Sequence, residues 1–358
     1  MPIYFFLEEN YPLVYNELIE DWWIMEIKKI LDKRTIVMGI SMLMIMIFHS
    51  DLPIISESFI YKNLHIGVDC FLFLSGLGIV QSLNKNDNIK EFYKRRIVRI
   101  LPTTIPLIVI FSYLMLIFNE SFNITEFNLQ ITTLNFWLGQ GNYPLFMWYI
   151  PCILLYYLLS PFIFKYLKNN YNDKRFIIKI SLIILIIFIA PTGIEKSAFK
   201  NIFLRFSAYL IGMVYGFRII NKEVLSKKEI LLIFFLTIIS VAGAYYLENN
   251  YKAVINQFTF LFYIPIVLSI TIITTYLFDR FRIPDKFITT IGKSTLAIYC
   301  SHEFIKMITI GFYNKYSLYN TIPYNSYVYS LVFAILGLTF GILWTKFINY
   351  LTNPKKVK

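Results

Sequence analysis

Apolar stretches of about 20 residues recur along this chain, and the positive charges between them fall almost entirely on alternate connections. A helix of about 20 apolar residues crosses the hydrocarbon core of a bilayer. With 57% hydrophobic residues among 358, the chain has more apolar surface than a soluble core could enclose. The sequence therefore predicts an all-α, polytopic membrane helix bundle. We expect about ten transmembrane helices, at residues 35–51, 64–83, 100–118, 145–164, 175–191, 201–220, 229–247, 257–278, 291–312 and 327–348.

The distribution of Lys and Arg predicts the orientation of this bundle. Most of the 34 Lys and Arg residues lie on one side of it, and the longest connection on the other side, 119–144, has none. Because Lys and Arg are enriched in cytosolic loops, we predict an N-in/C-in topology. The same bias accounts for the net charge of +12. We therefore expect membrane lipid, and no nucleic acid, as a partner of the positive charges. Residues 1–33 would be a cytosolic or interfacial N-terminal segment, 34–350 the transmembrane domain, and 351–358 a cytosolic basic tail.

Two polar residues on adjacent predicted spans form a candidate catalytic pair. His49 lies at the outer end of the first span, and Asp69 lies at the outer start of the second. Ionisable groups at membrane depth are costly, which makes each of them a candidate for function. An imidazole held by a carboxylate can remove a proton from a hydroxyl group. We therefore predict that His49 is a general base oriented by Asp69. A satisfied structural role is the alternative for His49, and His65 is expected in a loop near the surface.

Further ionisable residues lie in the outer half of later spans. Arg205 is about two turns into the sixth span, and His302 and Lys306 are four residues apart on the ninth. Residues four apart share a helix face, so these side chains are predicted to contact substrate in a cavity that opens outward. Glu303 can also reach Lys306. A self-neutralising structural pair of Glu303 and Lys306 is the alternative interpretation.

The predicted cytosolic face carries a pair of arginines before the third span. Arg96 and Arg99 are three residues apart on one helical face. Two guanidinium groups in this arrangement suit phosphate groups delivered from the cytosol, whereas ordinary positive-inside charge is the alternative. The three cysteines lie in apolar segments without metal-ligand spacing. They are interpreted as small core residues, and no metal is expected.

Several segments, in order, resemble the acyltransferase-3 family of bacterial integral-membrane acyltransferases. Residues 67–76, GVDCFLFLSG, are similar to the family's Gly-Val-Asp-x-Phe-Phe-x-Leu-Ser-Gly block. Residues 96–102, RIVRILP, are similar to its Arg-x-x-Arg-Ile-x-Pro segment. The stretches at 147–161 and 294–302 resemble its Trp-rich span and its late Ser-x-x-x-Tyr-x-x-His segment. The Gly-Val-Asp block is the most specific of these motifs.

One position departs from the family pattern. The family has an arginine eleven residues before the histidine of its first span, and here that residue is Met38. Arg34 lies one turn further toward the cytosol on nearly the same face, and its long side chain can extend upward. Our hypothesis is that Arg34 takes the role of the missing arginine. Altered handling of the acyl donor, or lost activity, is the alternative.

The resemblance implies transfer of an acyl group, usually acetyl from acetyl-CoA, to a hydroxyl of a cell-surface carbohydrate or lipid-linked sugar. The location would be the bacterial cytoplasmic (inner) membrane. Arg34, Arg96 and Arg99 would bind the acyl-CoA, and Trp148 would offer a stacking surface. Because the arginines and His49 lie at opposite depths, the thioester must enter the bundle or pass its acyl group to a carrier. A transporter or flippase for a glycan or lipid intermediate, and a structural subunit, are the alternative functions.

Overall fold

The predicted all-α fold is confirmed in a computed structural model, whose described backbone is almost entirely helical. It describes residues 25–50, 52, 57–117, 124–138, 148–190, 197–250, 258–281, 283–302, 304–305 and 327–352. The elements of the first half are β1 (Met25–Glu26), α1 (Lys28–Asp32), α2 (Arg34–His49), α3 (Phe59–Lys62), a 3-10 turn (Leu64–Ile66), α4 (Gly67–Lys85), α5 (Ile89–Ile117), α6 (Ile124–Ile131), α7 (Leu134–Leu138) and α8 (Tyr149–Asn170). Those of the second half are α9 (Phe176–Ile189), α10 (Ser197–Ile220), β2 (Val224–Leu225), α11 (Lys227–Asn250), α12 (Thr259–Arg280), α13 (Lys286–Lys293), α14 (295–302) and α15 (Tyr327–Thr352).

Six helical segments in the described ranges are long and apolar enough to cross a membrane. They are Phe59–Lys85, Tyr149–Asn170, Phe199–Ile220, Lys227–Asn250, Thr259–Arg280 and Ser330–Thr352. Helices α2 and α9 are apolar but shorter, with 16 and 14 residues. Each predicted span therefore includes described helical residues, and six of the spans meet the length and hydropathy that a crossing requires.

Two helices have bounds that differ from those of the predicted spans. Helix α5 begins at Ile89, well before the predicted start at residue 100, so it includes the charged segment with Arg96 and Arg99. Pro102 and Pro106 lie inside this helix. The ninth span does not begin at residue 291, because α13 ends at Lys293 and Ser294 forms a turn before α14.

The described part of the predicted N-terminal segment packs against the helix bundle. Strand β1 pairs antiparallel with β2, which follows α10. Ile27 and Ile30 have no exposed surface, and Lys29 forms a 2.9 Å ion pair with Asp279 at the end of α12. These contacts fix the start of α2, which carries Arg34 as its first residue.

Helices α4 and α10 pack closely through small residues. A Cβ on Gly212 of α10 would overlap the carbonyl group of Phe73. Gly216, one turn further along α10, meets Val80, so the two helices run parallel. Glycines allow this close approach of backbones in membrane proteins. Side chains near the N-terminal ends of both helices are thereby brought level with each other.

Candidate functional site

The candidate site residues form two groups at opposite ends of α2. We define the polar cluster as His49, His65, Asp69, Arg205 and His302, and the arginine cluster as Arg34, Arg96 and Arg99. Arg34 is the first residue of α2 and His49 is the last. At 1.5 Å per residue, their backbones are separated by about 22 Å.

His49 is hydrogen-bonded to a second histidine. Its Nδ1 lies 2.9 Å from Nε2 of His302, and the two ring centroids are 5.0 Å apart. Nδ1 of His302 lies 3.0 Å from the carbonyl oxygen of Ile298, one turn earlier in α14. His302 has no exposed surface, whereas His49 is half-buried. The half-buried ring of His49 is thus hydrogen-bonded to the fully buried ring of His302.

Asp69 forms a buried ion pair with Arg205 across α4 and α10. Nη1 of Arg205 donates a hydrogen bond to Oδ2 of Asp69, and their side chains are only 4% and 2% exposed. The guanidinium carbon of Arg205 lies 5.5 Å from the ring centroid of Trp148 and 5.0 Å from that of Phe260. The Nε–H of Arg205 is buried and has no hydrogen-bond partner among the described residues.

These contacts correct the predicted pairing of Asp69 with His49. Among the described residues, the carboxylate of Asp69 is hydrogen-bonded to Arg205, and the imidazole of His49 is hydrogen-bonded to His302. A buried guanidinium needs a compensating charge more than a neutral imidazole does, and the parallel packing of α4 and α10 supplies it. Both residues remain in the candidate site, but they belong to different pairs.

His65 is more enclosed than predicted. It lies in the 3-10 turn before α4 and is half-buried. Its Nδ1 lies 2.9 Å from the carbonyl oxygen of Lys62, and its Nε2 lies 3.2 Å from the hydroxyl of Tyr263. The ring of Phe48 packs 5.3 Å away. His65 therefore lies in a short 3-10 turn rather than a loop, with both ring nitrogens next to protein groups.

Arg34 lies alongside α4, within electrostatic range of the other two arginines. Its Nε donates a 3.0 Å hydrogen bond to the carbonyl oxygen of Leu74. Its guanidinium group lies against Gly78 and interacts electrostatically with Arg96 and Arg99. The first turn of α2 therefore places Arg34 beside the two arginines of α5. The hypothesis that Arg34 replaces the family arginine at position 38 requires this placement.

Arg96 and Arg99 differ in their surroundings. Arg96 is half-buried, and its guanidinium carbon lies 5.1 Å from the ring of Phe92 and 5.5 Å from that of Tyr157. Its Nε–H is buried without a hydrogen-bond partner among the described residues. Arg99 is exposed and lines a cleft.

This cleft extends from Arg99 to Tyr299, about one helical turn before His302. Met38 lines it together with Arg99 and three tyrosines, Tyr149, Tyr157 and Tyr299. The rings of Tyr149 and Tyr299 are 5.3 Å apart, and Tyr299 is 5.8 Å from His302. The sequence analysis did not single out these tyrosines, although all three lie in the segments that resemble family motifs.

Of the remaining residues that the sequence analysis singled out, some lie in the part of the chain that the structure describes and others lie outside it. Trp148 is half-buried and packs on Arg205, so two of the predicted substrate contacts lie together. The predicted substrate contact Lys306 and its alternative partner Glu303 lie outside the described residues. All three cysteines are buried and none forms a disulfide.

A family profile described as an acyltransferase domain, Acyl_transf_3, matches residues 37–345 of this chain. The chain belongs to the acyltransferase-3 family. Together with the apolar helices, this membership makes it an integral membrane protein. The matched range includes α14 and both helices of the buried ion pair.

Two relatives illustrate how far the similarity extends. An uncharacterized protein of Haemophilus influenzae is 26% identical over 241 residues, covering 58% of this chain and 97% of that protein. The O-acetyltransferase OatA of Staphylococcus aureus is 25% identical over 332 residues, covering 82% of this chain and 52% of OatA. The chain thus spans about half the length of OatA. No solved structure gives a significant match.

Proposed function

We propose that this protein is a membrane O-acyltransferase that moves an acyl group, most simply acetyl, from acetyl-CoA to a hydroxyl of a cell-surface carbohydrate or lipid-linked sugar. One observation carries the proposal: a cleft connects exposed Arg99 with the tyrosine that packs on His302, the hydrogen-bond partner of His49. Membership of the family supports acyl transfer, and the name of the relative OatA supports acetyl as the group transferred.

His49 would act as the general base. As its imidazole takes the proton of the acceptor hydroxyl, the hydroxyl oxygen attacks the thioester carbonyl and forms the new C–O bond. The C–S bond breaks, and His49 returns the proton to the departing thiolate, so that the ring ends neutral. General-base catalysis by a positioned side chain contributes typically about 10²–10⁴-fold to a rate.

The donor would bind at the arginine cluster. Arg96 and Arg99 can contact phosphate groups, and the buried Nε–H of Arg96 is a donor that phosphate oxygen would satisfy. Arg34 adds a third positive charge beside them. The cleft past Met38 and Tyr149 would receive the start of the thioester arm as far as Tyr299. We propose that the thioester enters the bundle from there and needs no separate acyl carrier.

The acceptor would bind near Asp69 and Arg205. The buried Nε–H of Arg205 lacks a partner among the described residues, and a sugar hydroxyl could accept its hydrogen bond. Trp148 beside it presents a ring of the kind on which sugars stack. Asp69 would hold the guanidinium group in place for this contact.

The proposal includes ten spans in an N-in/C-in orientation in the bacterial cytoplasmic membrane. The described helical residues within each predicted span and the distribution of Lys and Arg support it. With this orientation the arginine cluster faces cytosolic acetyl-CoA, and the polar cluster faces the side on which surface sugars are exposed.

Mass spectrometry of cell-envelope glycans from a deletion strain tests the function. We expect acetyl esters to be lost on deletion and restored by the wild-type gene but not by one encoding His49→Ala. Unchanged acetylation with accumulation of a lipid-linked intermediate would instead indicate a flippase.

A further inference from the structure

The two ring nitrogens of His302 have partners of different chemistry. Nδ1 faces the carbonyl oxygen of Ile298 at 3.0 Å, and Nε2 faces Nδ1 of His49 at 2.9 Å. A carbonyl oxygen only accepts hydrogen bonds, so Nδ1 of His302 carries a proton. In a neutral ring, Nε2 is then the acceptor, and the proton shared with His49 belongs to Nδ1 of His49. A neutral His49 with its proton on Nδ1 has its lone pair on Nε2.

We propose that His302 is a positioning residue that holds His49 in the Nδ1–H tautomer, so that Nε2 of His49 takes the acceptor's proton. This inference rests on the proposed function and deepens it. Nδ1–H of His49 donates to Nε2 of His302, and Nδ1–H of His302 donates to the carbonyl oxygen of Ile298. The backbone carbonyl, which cannot change its protonation state, fixes the tautomer of both rings.

The same chain of hydrogen bonds supports the base when it becomes charged. After His49 takes a proton, its Nδ1–H still donates to the lone pair of His302. Hydrogen bonds from a charged donor are about twice as strong as neutral ones, so this contact strengthens as the reaction proceeds. A carboxylate would fill this place in a histidine–aspartate pair, but Asp69 is bound to Arg205.

Packing around His302 restricts its ring. The residue has no exposed surface, and a Cβ on Gly337 of α15 would lie 3.0 Å from the Cβ of His302. The hydroxyl of the preceding Ser301 lies 3.3 Å from the carbonyl oxygen of Gly337. The rings of Tyr299 and Phe333 lie 5.8 and 6.2 Å from that of His302. This packing keeps the ring of His302 in a fixed position beside His49. A purely structural histidine would be packed in the same way, so activity measurements are needed to distinguish the two roles.

Two substitutions separate positioning from packing. His302→Gln retains an amide oxygen that can accept from Nδ1 of His49, whereas His302→Leu fills the space without an acceptor. In proteoliposomes we expect His302→Leu to lower kcat by about 10²-fold while KM for donor and acceptor stays within about two-fold. His302→Gln should retain kcat within about ten-fold of wild type. Thermal unfolding in detergent checks that both variants are folded.

Equal activity of the Leu and Gln variants, at equal folded amounts, would overturn the positioning role. If His302→Leu keeps full activity while His49→Ala is inactive, this inference fails but the proposed function stands. Activity of His49→Ala would contradict the proposed base itself.

The protonation state of His49 can also be observed directly. The chain contains only 3 histidines, so ¹⁵N-labelled imidazole signals can be assigned by removing one ring at a time. Solid-state NMR of the wild-type protein in lipid should show His49 protonated at Nδ1 and unprotonated at Nε2. In His302→Leu, the His49 signals should indicate a mixture of tautomers. A wild-type His49 protonated at Nε2 would contradict the proposal, whatever the kinetics.

Discussion

The polar cluster and the arginine cluster use ionisable side chains in opposite ways. In the polar cluster, opposite charges and imidazoles are bound to each other, as in Asp69 with Arg205 and His49 with His302. In the arginine cluster, three like charges lie together. The first arrangement holds groups in fixed positions, and we propose that an anionic ligand completes the second. A substitution should therefore change the rate or the fold in one cluster and donor affinity in the other.

The largest expected effect is the loss of the base. His49→Ala should lower acyl transfer by about 10³-fold, because general-base catalysis is removed while both binding regions remain. Release of CoA by purified protein in proteoliposomes measures this. His65→Gln is the matched control, since His65 also lies at this end of the bundle but hydrogen-bonds to Lys62 and Tyr263. Similar losses in the two variants would show that the effect is not specific to His49.

The next effect concerns stability. Arg205→Ala leaves the Asp69 carboxylate buried and unpaired, and we expect a loss of about 3–5 kcal/mol in the free energy of unfolding. Thermal unfolding of the detergent-solubilised protein reports this change. The double variant Asp69→Asn with Arg205→Ala should recover part of the loss, because the buried charge is then absent. A double variant no more stable than Arg205→Ala would argue against the ion pair as the cause.

In the arginine cluster, the change should appear in KM. Arg96→Ala and Arg99→Ala should each raise KM for acetyl-CoA by about 10- to 100-fold, the loss expected for one charge-assisted phosphate contact of roughly 1.5–3 kcal/mol. Thermal stability should change little, in contrast to Arg205→Ala. Arg95→Ala is the control for general positive charge, since Arg95 is exposed beside them. If Arg95→Ala raises KM as much, the cluster acts only through net charge.

The smallest effect tests the departure at Met38. Arg34→Ala should raise KM for acetyl-CoA by about three- to ten-fold if Arg34 replaces the family arginine. Adding Met38→Arg to this variant should restore binding, because Met38 lines the same cleft. Transfer that is unchanged in Arg34→Ala would show that Arg34 does not have this role.

The sequence predicted the all-α fold and singled out the residues of both clusters, but not how the residues pair. Apolar runs and charge bias report whether a segment lies in lipid, and described helical residues lie within each predicted span. They carry no information on the register between distant helices. Asp69 and Arg205 were each identified as buried charges, yet their pairing depends on the parallel packing of α4 and α10 through glycines such as Gly212.

His302 illustrates the same limit of sequence patterns in the polar cluster. Its spacing from Lys306 suggested a substrate contact on a shared helix face. In the structure, Nε2 of His302 faces Nδ1 of His49 at the end of α2, a contact between distant helices that helical spacing does not report. The sequence analysis did not single out the tyrosines of the cleft for a different reason. An aromatic residue in an apolar span more often packs in the core than forms a binding surface.

The central claim is that one end of the bundle binds an acyl-CoA and the other transfers its acyl group. Purified protein in proteoliposomes, supplied with acetyl-CoA labelled in the acetyl group and with envelope sugars as acceptor, tests it most directly. We predict that labelled ester appears on the sugar in step with release of CoA, and that both cease in His49→Ala. Movement of the sugar across the membrane without release of CoA, or transfer that persists in His49→Ala, would contradict this account.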